Sequence, residues 1–360
     1  MAASVDQILS QTHYGATSAL PEPLILASAA TGIVACIEKQ NGDIDRIFGH
    51  AGIAPEMAGS PTLQLGLAPF CSLFEQSAHL THNDNFGLWF GNKFEARDLG
   101  LWGYAAVSAP TVGAALQTLC ELFPHHQQSS MLRMRGGQNG LLQLEYRIES
   151  AEIVACRQDA ELSLGTFLNV MREGLGPTWA PEEVHFEHPK PEGHREHRQA
   201  FNAPVFFSQP TNALLFRPEV LATRMPASDP RLLAAMRLCL QRLSERNDWR
   251  VSVTDRVRSA VKARLPEGFP ALEEISSEIR LPLKAIEREL RRDGINYKDL
   301  VEKTRQDLAL MYIGQRQLQI SEIALLLGYS ELSAFSRAVR RWTGQSPRSL
   351  RARMEGEHNR

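Results

Sequence analysis

The stretch from residue 320 to residue 351 constrains the fold more than any other part of this 360-residue chain. It reads ISEIALLLGYSELSAFSRAVRRWTGQSPRSLR. Residues 323–327 predict a short helix, and Gly328 stands where a tight turn between two helices needs a positive φ. Ser330 is expected to cap the next helix, and Gly344 to end it. The pattern predicts two helices joined by a sharp turn, with a third helix after them.

The second of these helices is strongly amphipathic. An apolar stripe recurs at helical spacing and is expected to face the core: Leu332, Phe335, Val339 and Trp342. The opposite face carries short hydroxyl groups and guanidinium groups: Ser333, Ser336, Arg337 and Arg340. A helix with one buried face and such a polar face fits the DNA major groove. Leu332 is assigned to core packing rather than to contact with a thymine methyl group.

An imperfect copy of this device lies about 49 residues upstream. Residues 272–279 predict a support helix, and Leu283, Ile286 and Leu290 predict the buried stripe of the helix that follows. Its outer face carries Lys284, Glu287, Arg288 and Arg291. Residues 297–313 read as one connecting helix. Adjacent major grooves on one face of B-DNA are roughly 34 Å apart, so a chain with two such units can read two half-sites.

The C-terminal part of the chain resembles the DNA-binding domain of the AraC/XylS family of transcription regulators. The second unit carries the resemblance through isoleucine-alanine, glycine-aromatic, S-x-F-x-R and T-G-x-S-P-x-x-x-R, all within residues 323–351. The first unit departs from the family pattern at Arg280, Pro282 and Glu289. Residues 99–122 and 201–216 resemble the effector domain of the ornithine- and metabolite-responsive subgroup. The resemblance implies a double helix-turn-helix that binds double-stranded DNA.

The residues on the outer faces of the two amphipathic helices are expected to play different roles. Arg337 and Arg288 are expected to contact DNA rather than to be ordinary surface arginines, and Arg337 is expected to grip a guanine. Lys284, Arg291 and Arg340 are expected to hold phosphates, because cations on a helix flank serve position more often than sequence. Glu287 either accepts a hydrogen bond from a cytosine amino group or pairs with a neighbouring arginine.

The charge distribution agrees with a nucleic-acid partner for one end only. Residues 245–360, here called the tail, carry a net charge of +5, whereas residues 1–244, the body, carry -7. The five cysteines are scattered without C-x-x-C spacing, which is typical of reduced thiols in the cytoplasm. The N-terminus lacks the pattern of a secretory signal, and no stretch approaches the roughly 18 apolar residues of a membrane span. We expect a cytoplasmic protein without a membrane partner.

The body mixes helical and strand periodicities, so the predicted fold is an α+β N-terminal effector domain followed by an all-α double helix-turn-helix domain. Its predicted helices are 69–79, 111–123 and 159–171, and its predicted strands are 131–135, 141–148, 183–186 and 212–216. The predicted organisation is a flexible segment 1–20, an effector-binding or dimerisation domain 21–226, a linker helix 227–250, a DNA-binding domain 251–353 and a tail end 354–360. Within the DNA-binding domain, the first unit is 271–292 and the second unit is 321–342.

Two sets of body residues are candidates for ligand chemistry. One set would line an effector cavity or simply form core: Trp89, Trp102, Phe123 and Tyr146. The other set is His188, His194 and His197 in the string HPKPEGHREH. His194 and His197 have the spacing of metal ligands on a helix, but the Pro/Glu/Arg-rich setting favours a solvated surface segment over a zinc site. No metal and no cofactor are therefore expected.

The leading hypothesis is a transcription regulator controlled by a small organic effector. The family resemblance implies an activator that acts near its promoters, often through RNA polymerase, and a homodimer is a further expected partner. Two alternatives stay open. One is a constitutive DNA-binding protein whose N-terminal domain only dimerises, and the other is an enzyme domain tethered to DNA. No catalytic motif supports the enzyme.

Overall fold

The computed structural model describes residues 22–150, 152–244, 253–314 and 318–358. The predicted segment 1–20, the end of the predicted linker helix at 245–250 and the predicted start of the DNA-binding domain at Val251 lie outside the described residues. Two hydrophobic cores organise the rest of the chain. One core draws on residues 25–240 and the other on residues 257–350. Body and tail therefore each bury their own apolar side chains.

The helices of the body surround a small set of strands. They are α1 (Ile33–Lys39), α2 (Ile44–Ala51), α3 (Leu67–Leu80), α4 (Phe86–Lys93), α5 (Leu101–Val107), α6 (Val112–His126), α7 (Arg157–Leu175), α8 (Arg195–Phe201) and α9 (Pro230–Ser244). Helix α9, which coincides with much of the predicted linker, buries Leu240 in the body core. The three predicted body helices are confirmed as α3, α6 and α7.

The strands form two sheets. They are β1 (Leu24–Leu26), β2 (Gln64–Gly66), β3 (Ser130–Gly136), β4 (Leu142–Ile148), β5 (Glu183–His185), β6 (Val205–Phe206) and β7 (Asn212–Phe216). Strands β1 and β2 pair with each other, and the larger sheet has the order β3-β4-β7-β5-β6. The predicted hairpin is confirmed as β3 and β4, whose register pairs Leu132 with Tyr146. The short strands β1, β2 and β6 were not predicted, since two or three residues carry too little periodicity.

The tail is helical throughout its described residues. Its helices are α10 (Val253–Arg264), α11 (Leu272–Ile279), α12 (Leu283–Arg292), α13 (Tyr297–Ile313), α14 (Ile320–Leu326), α15 (Leu332–Thr343) and α16 (Pro347–His358). Both predicted helix-turn-helix units are present, as α11–α12 and α14–α15. They contribute to one shared core with α13 between them. A 17-residue helix such as α13 is about 25 Å long and can act as a rigid spacer.

Two local predictions at the second unit are wrong. The N-cap of α15 is Glu331 rather than Ser330, and it makes no side-chain capping bond. Leu332 is 43% exposed, so the buried stripe of α15 consists of Phe335, Ala338 and Val339. Leu332 is the first residue of its helix, and helical side chains tilt toward the N-terminus. Its side chain therefore projects past the core instead of into it.

Candidate nucleic-acid interface and ligand pocket

The second recognition helix, α15, presents free cationic groups on its outer face. Arg337 and Arg340 are exposed, and neither has an ion-pair partner among the residues that the structure describes. Ser333 is exposed and its hydroxyl donates to Glu331 Oε2 at 2.9 Å, while Ser336 is half-buried. The guanidinium groups of this face are therefore available to an anionic or base partner.

The first recognition helix, α12, has a more self-paired surface. Its four predicted contact residues are all exposed: Lys284, Glu287, Arg288 and Arg291. Glu289, however, forms an ion pair with Arg292 at 2.8 Å, and its Oε1 lies 3.5 Å from Nε of Arg288. Within the described residues Glu287 has no such pair, so Glu289 is the acid that pairs with the neighbouring arginines. The two helices thus hold equivalent places in their units. They differ because α12 carries a glutamate that pairs with its own arginines, whereas Arg337 and Arg340 of α15 have no ion pair within the described residues.

A buried arginine that was not predicted fixes the turn of the second unit. Arg305 on α13 donates from Nε to the carbonyl of Leu327 at 2.9 Å and from Nη2 to that of Gly328 at 3.3 Å. Its guanidinium also lies 4.8 Å from the ring centre of Tyr329. Arg256 on α10 precedes it by 49 residues, the repeat interval. The repeat therefore extends to the helix before each unit, a signal that spacing alone could have shown.

The body touches the first unit through a charged contact. Arg147 on β4 pairs with Glu187 at 2.6 Å and lies 3.9 Å from Glu278 on α11. Glu278 is also 3.9 Å from Arg264 on α10. Val154 of the body packs against the tail core. The support helix of the first unit is thus one place where a change in the body can reach the DNA-binding part.

The aromatic residues proposed for a ligand pocket are distributed unevenly. Trp102 and Phe123 line a small cavity of about 20 Å³ in the body core. Tyr146 is buried beside Phe123, with ring centres 5.9 Å apart. Trp89 is not part of this group, since its half-buried indole donates to Glu196 on α8. A cavity of this size holds about one water molecule, whereas ligand pockets have volumes of roughly 300 Å³ or more.

Polar groups converge on the same cavity. The hydroxyl of Tyr146 donates to Asp159 Oδ2 at 2.6 Å and accepts from Gln127 Nε2 at 2.8 Å. Burial raises the pKa of Asp159 to about 7. His126 stacks on Trp102 with ring centres 4.3 Å apart, and burial lowers the pKa of His126 to about 3. Asp159, Gln127 and His126 were not among the predicted ligand residues because their convergence depends on tertiary packing.

The histidine string does not lie on a solvated surface as predicted. His197 is buried and His188 nearly so, and both rings face Glu161 on α7. Only His194 is half-exposed, at the N-terminus of α8, and it is not part of this group. Phe186 and Phe207 pack against the two buried histidines at ring-centre distances of 4.9 and 5.2 Å. Phe186 stands just before the string and Phe207 ten residues after it, and the Pro/Glu/Arg-rich string itself does not show that they pack on it.

Comparison with known families decides the affiliation of the chain. Residues 42–225 match the family model described as the arabinose-binding domain of AraC transcription regulator, N-term, and residues 275–353 match one described as a helix-turn-helix domain. The chain belongs to the AraC family of transcription regulators. The first match contains most of the cavity's lining and the buried histidines, and the second contains α12 and α15.

Individual AraC-type proteins are similar over most of their length. The ornithine utilization regulator of Pseudomonas aeruginosa is 29% identical over 311 residues, which cover 85% of this chain and 89% of that protein. The HTH-type transcriptional regulator VirS of Mycobacterium tuberculosis is 26% identical over 296 residues, which cover 80% and 84%. The crystal structure of transcriptional regulator CdpR from Pseudomonas aeruginosa is 22% identical, covers 85% of this chain and 97% of that one, and superimposes with a TM-score of 0.40.

None of the helices in the described parts of the chain is long and apolar enough to cross a membrane.

Proposed function

We propose that this AraC-family regulator binds operator DNA by placing α12 and α15 in two successive major grooves. The observation that supports this most is the outer face of α15, where exposed arginines stand opposite the buried Phe335 and Val339. Arg337 grips a base, because an arginine can donate two hydrogen bonds to a guanine edge. Arg288 plays the corresponding part in the first unit.

The remaining outer-face residues hold the helices in register. Lys284, Arg291 and Arg340 bind phosphates, since they flank the central base-reading arginines. Ser333 and Ser336 add short hydrogen-bonding contacts. Glu287, which has no ion pair within the described residues, is free to accept from a cytosine amino group.

The effector site is the cavity in the body core. Its walls combine aromatic rings with the buried carboxyl of Asp159, a combination that suits a small organic molecule bearing an amine. Because the cavity holds about one water molecule, such an effector has to widen it. The domain then has a closed and an opened state, and the effector acts by binding the opened one more tightly.

The Arg147–Glu278 contact gives this change a route to the DNA-binding part. When the body opens, β4 shifts, and the contact between Arg147 and Glu278 of the first support helix changes with it. The outcome is activation of nearby promoters, with RNA polymerase as a partner and a homodimer as the acting form. The protein works in the cytoplasm and has no catalytic role.

A panel of small amines, amino acids and short-chain acids tests the effector proposal on the full chain. The binding member should raise the melting temperature, by a stabilisation of about 2.7 kcal/mol at a hundredfold excess over Kd. It should also change the affinity for an operator selected from random duplexes and raise transcript yield with RNA polymerase. Trp102→Phe should weaken all three effects, while Trp89→Phe, outside the cavity, should leave them intact. If no compound acts, the N-terminal domain only dimerises and DNA binding is constitutive.

A further inference from the structure

A cluster of potential metal ligands lies in the body, apart from the DNA-binding face. Glu161 belongs to α7, His188 follows β5, and His197 belongs to α8. One ligand atom from each lies within 4.8 Å of the other two. Their side chains are 0%, 11% and 0% exposed, respectively. Three donors from three separate elements thus meet in a site that water hardly reaches.

The tautomer of His188 leaves a lone pair facing a carboxylate. His188 Nδ1 lies 2.9 Å from the carbonyl oxygen of Pro189, which can only accept, so the ring proton is on Nδ1. Nε2 then carries a lone pair, and it lies 3.4 Å from Glu161 Oε1. Two acceptors face each other unless a cation stands between them. An imidazole whose far N–H is held by a backbone carbonyl is also the usual orientation of a metal-binding histidine.

Each of the three side chains also has a buried atom that is unsatisfied. Among the residues that the structure describes, Glu161 Oε2, His188 Nε2 and His197 Nδ1 have no hydrogen-bond partner. Such orphaned groups are rare and costly in folded proteins, and a bound ion would satisfy two of these atoms. The other carboxylate oxygen, Glu161 Oε1, is occupied, since it accepts from His197 Nε2 at 2.7 Å and from Arg157 Nε at 2.8 Å.

Arg157 does not block the site. Its guanidinium is also held by the Asp84 carboxylate at 3.0 Å and by Asn85 Oδ1 at 2.9 Å. Asp84 therefore offsets the charge of Arg157, and Oε2 of Glu161 keeps its lone pairs for a second cation. Two neutral imidazoles and one carboxylate form a donor set that suits first-row divalent metals, Zn²⁺ among them.

We propose that Glu161, His188 and His197 bind one divalent transition-metal ion of the zinc class, with water in the fourth position. On binding, the His197 ring transfers its proton from Nε2 to the unpartnered Nδ1, and Nε2 becomes a ligand. The ion replaces the hydrogen bond between His197 and Glu161. It ties α8 and the segment after β5 to α7.

The test uses the chelator-treated full chain titrated with Co²⁺ and Zn²⁺. The wild type should take up one equivalent of Co²⁺ with the visible absorption of a four-coordinate nitrogen and oxygen site, and Zn²⁺ should displace it and raise the melting temperature. His188→Ala and Glu161→Gln should each weaken binding by more than the roughly 10–100-fold that loss of an outer-shell partner costs. His194→Ala removes a neighbouring histidine outside the cluster and should bind like the wild type.

Folding is checked separately. His188→Phe replaces the ring by one that suits the surrounding phenylalanines, so it keeps the packing while it removes the ligand atom. It should retain the far-UV circular dichroism of the wild type and lose the metal. The proposal is overturned if the wild type binds no metal, if His188→Phe binds it as tightly as the wild type, or if the Co²⁺ spectrum shows the thiolate charge-transfer band of a cysteine site.

Discussion

The two helix-turn-helix units share a scaffold and differ in what they offer to a partner. Each is preceded by a helix whose arginine donates to a backbone carbonyl at the turn: Arg256 to Ile279 at 2.6 Å, and Arg305 to Leu327 at 2.9 Å. Both turns use a left-handed residue, Arg280 with φ 54° and Gly328 with φ 73°. The same backbone solution is therefore reached with a glycine in one unit and an arginine in the other.

One of the differences between the two helices lies at Glu289. Glu289 of the first unit corresponds to the buried Ala338 of the second. Arg288 lies 3.5 Å from that glutamate, whereas its counterpart Arg337 has no ion pair within the described residues. The first unit also takes the body's contact at Glu278. We therefore expect an unequal division of labour, in which both units contact bases but the second, which lacks the body's contact, contributes more to sequence reading.

The largest expected effect comes from Gly328→Ala. A left-handed alanine costs roughly 1–2 kcal/mol, and the added Cβ would lie 2.2 Å from the carbonyl oxygen of Leu265, which is backbone and cannot rotate away. The second unit should lose about 3 kcal/mol or more. Hydrogen exchange should show faster opening of α14 and α15 than of α11 and α12. Gly314→Ala is the control, because its φ is -68° and its nearest atom is 3.5 Å away. Equal protection in the variant and the wild type would contradict the packing described.

An intermediate effect is expected at the two scaffold arginines. Arg305→Ala leaves the carbonyls of Leu327 and Gly328 without their donor and removes the stacking on Tyr329, so it should cost about 2–3 kcal/mol. Arg256→Ala loses one hydrogen bond, to Ile279, and should cost about 1 kcal/mol. Denaturant unfolding, followed by hydrogen exchange in each unit, gives the two values. A larger loss for Arg256→Ala would reverse the assigned importance of the two anchors.

The smallest effect is a gain at Arg280. Its side chain is exposed, and it makes no ion pair within the described parts of the chain. Arg280→Gly removes the left-handed penalty of roughly 1–2 kcal/mol and adds about 0.4–1 kcal/mol of unfolded-state entropy. The first unit should become more stable by about 0.5–1 kcal/mol, measured as a shift of the unfolding midpoint. Destabilisation would show that the arginine side chain makes a contact that supports the turn.

Local patterns predicted the tail well and the body's chemistry poorly. Helix α11 and strand β7 have the predicted bounds, because their apolar periodicity and punctuation are local. The exposure of Leu332 was not predicted, because apolar periodicity does not show at which residue a helix begins to pack against the core. The buried histidines were missed for a different reason. Glu161 lies 27 residues before His188 and Phe207 lies 10 residues after His197, so only the folded sheet and α7 bring these groups together.

The most direct test of the division of labour compares Arg337→Ala with Arg288→Ala. Affinities are measured at one fixed salt concentration for a selected operator and for random duplex DNA, with circular dichroism as the folding control. Arg337→Ala should lose about 1–3 kcal/mol on the operator and much less on random DNA. Arg288→Ala should lose less on the operator. Glu289, which pairs with Arg292, also lies 3.5 Å from Arg288 and competes with DNA for its guanidinium. Equal losses on both DNAs for Arg337→Ala would make that residue a phosphate anchor and contradict the assignment of the second unit as the main reader.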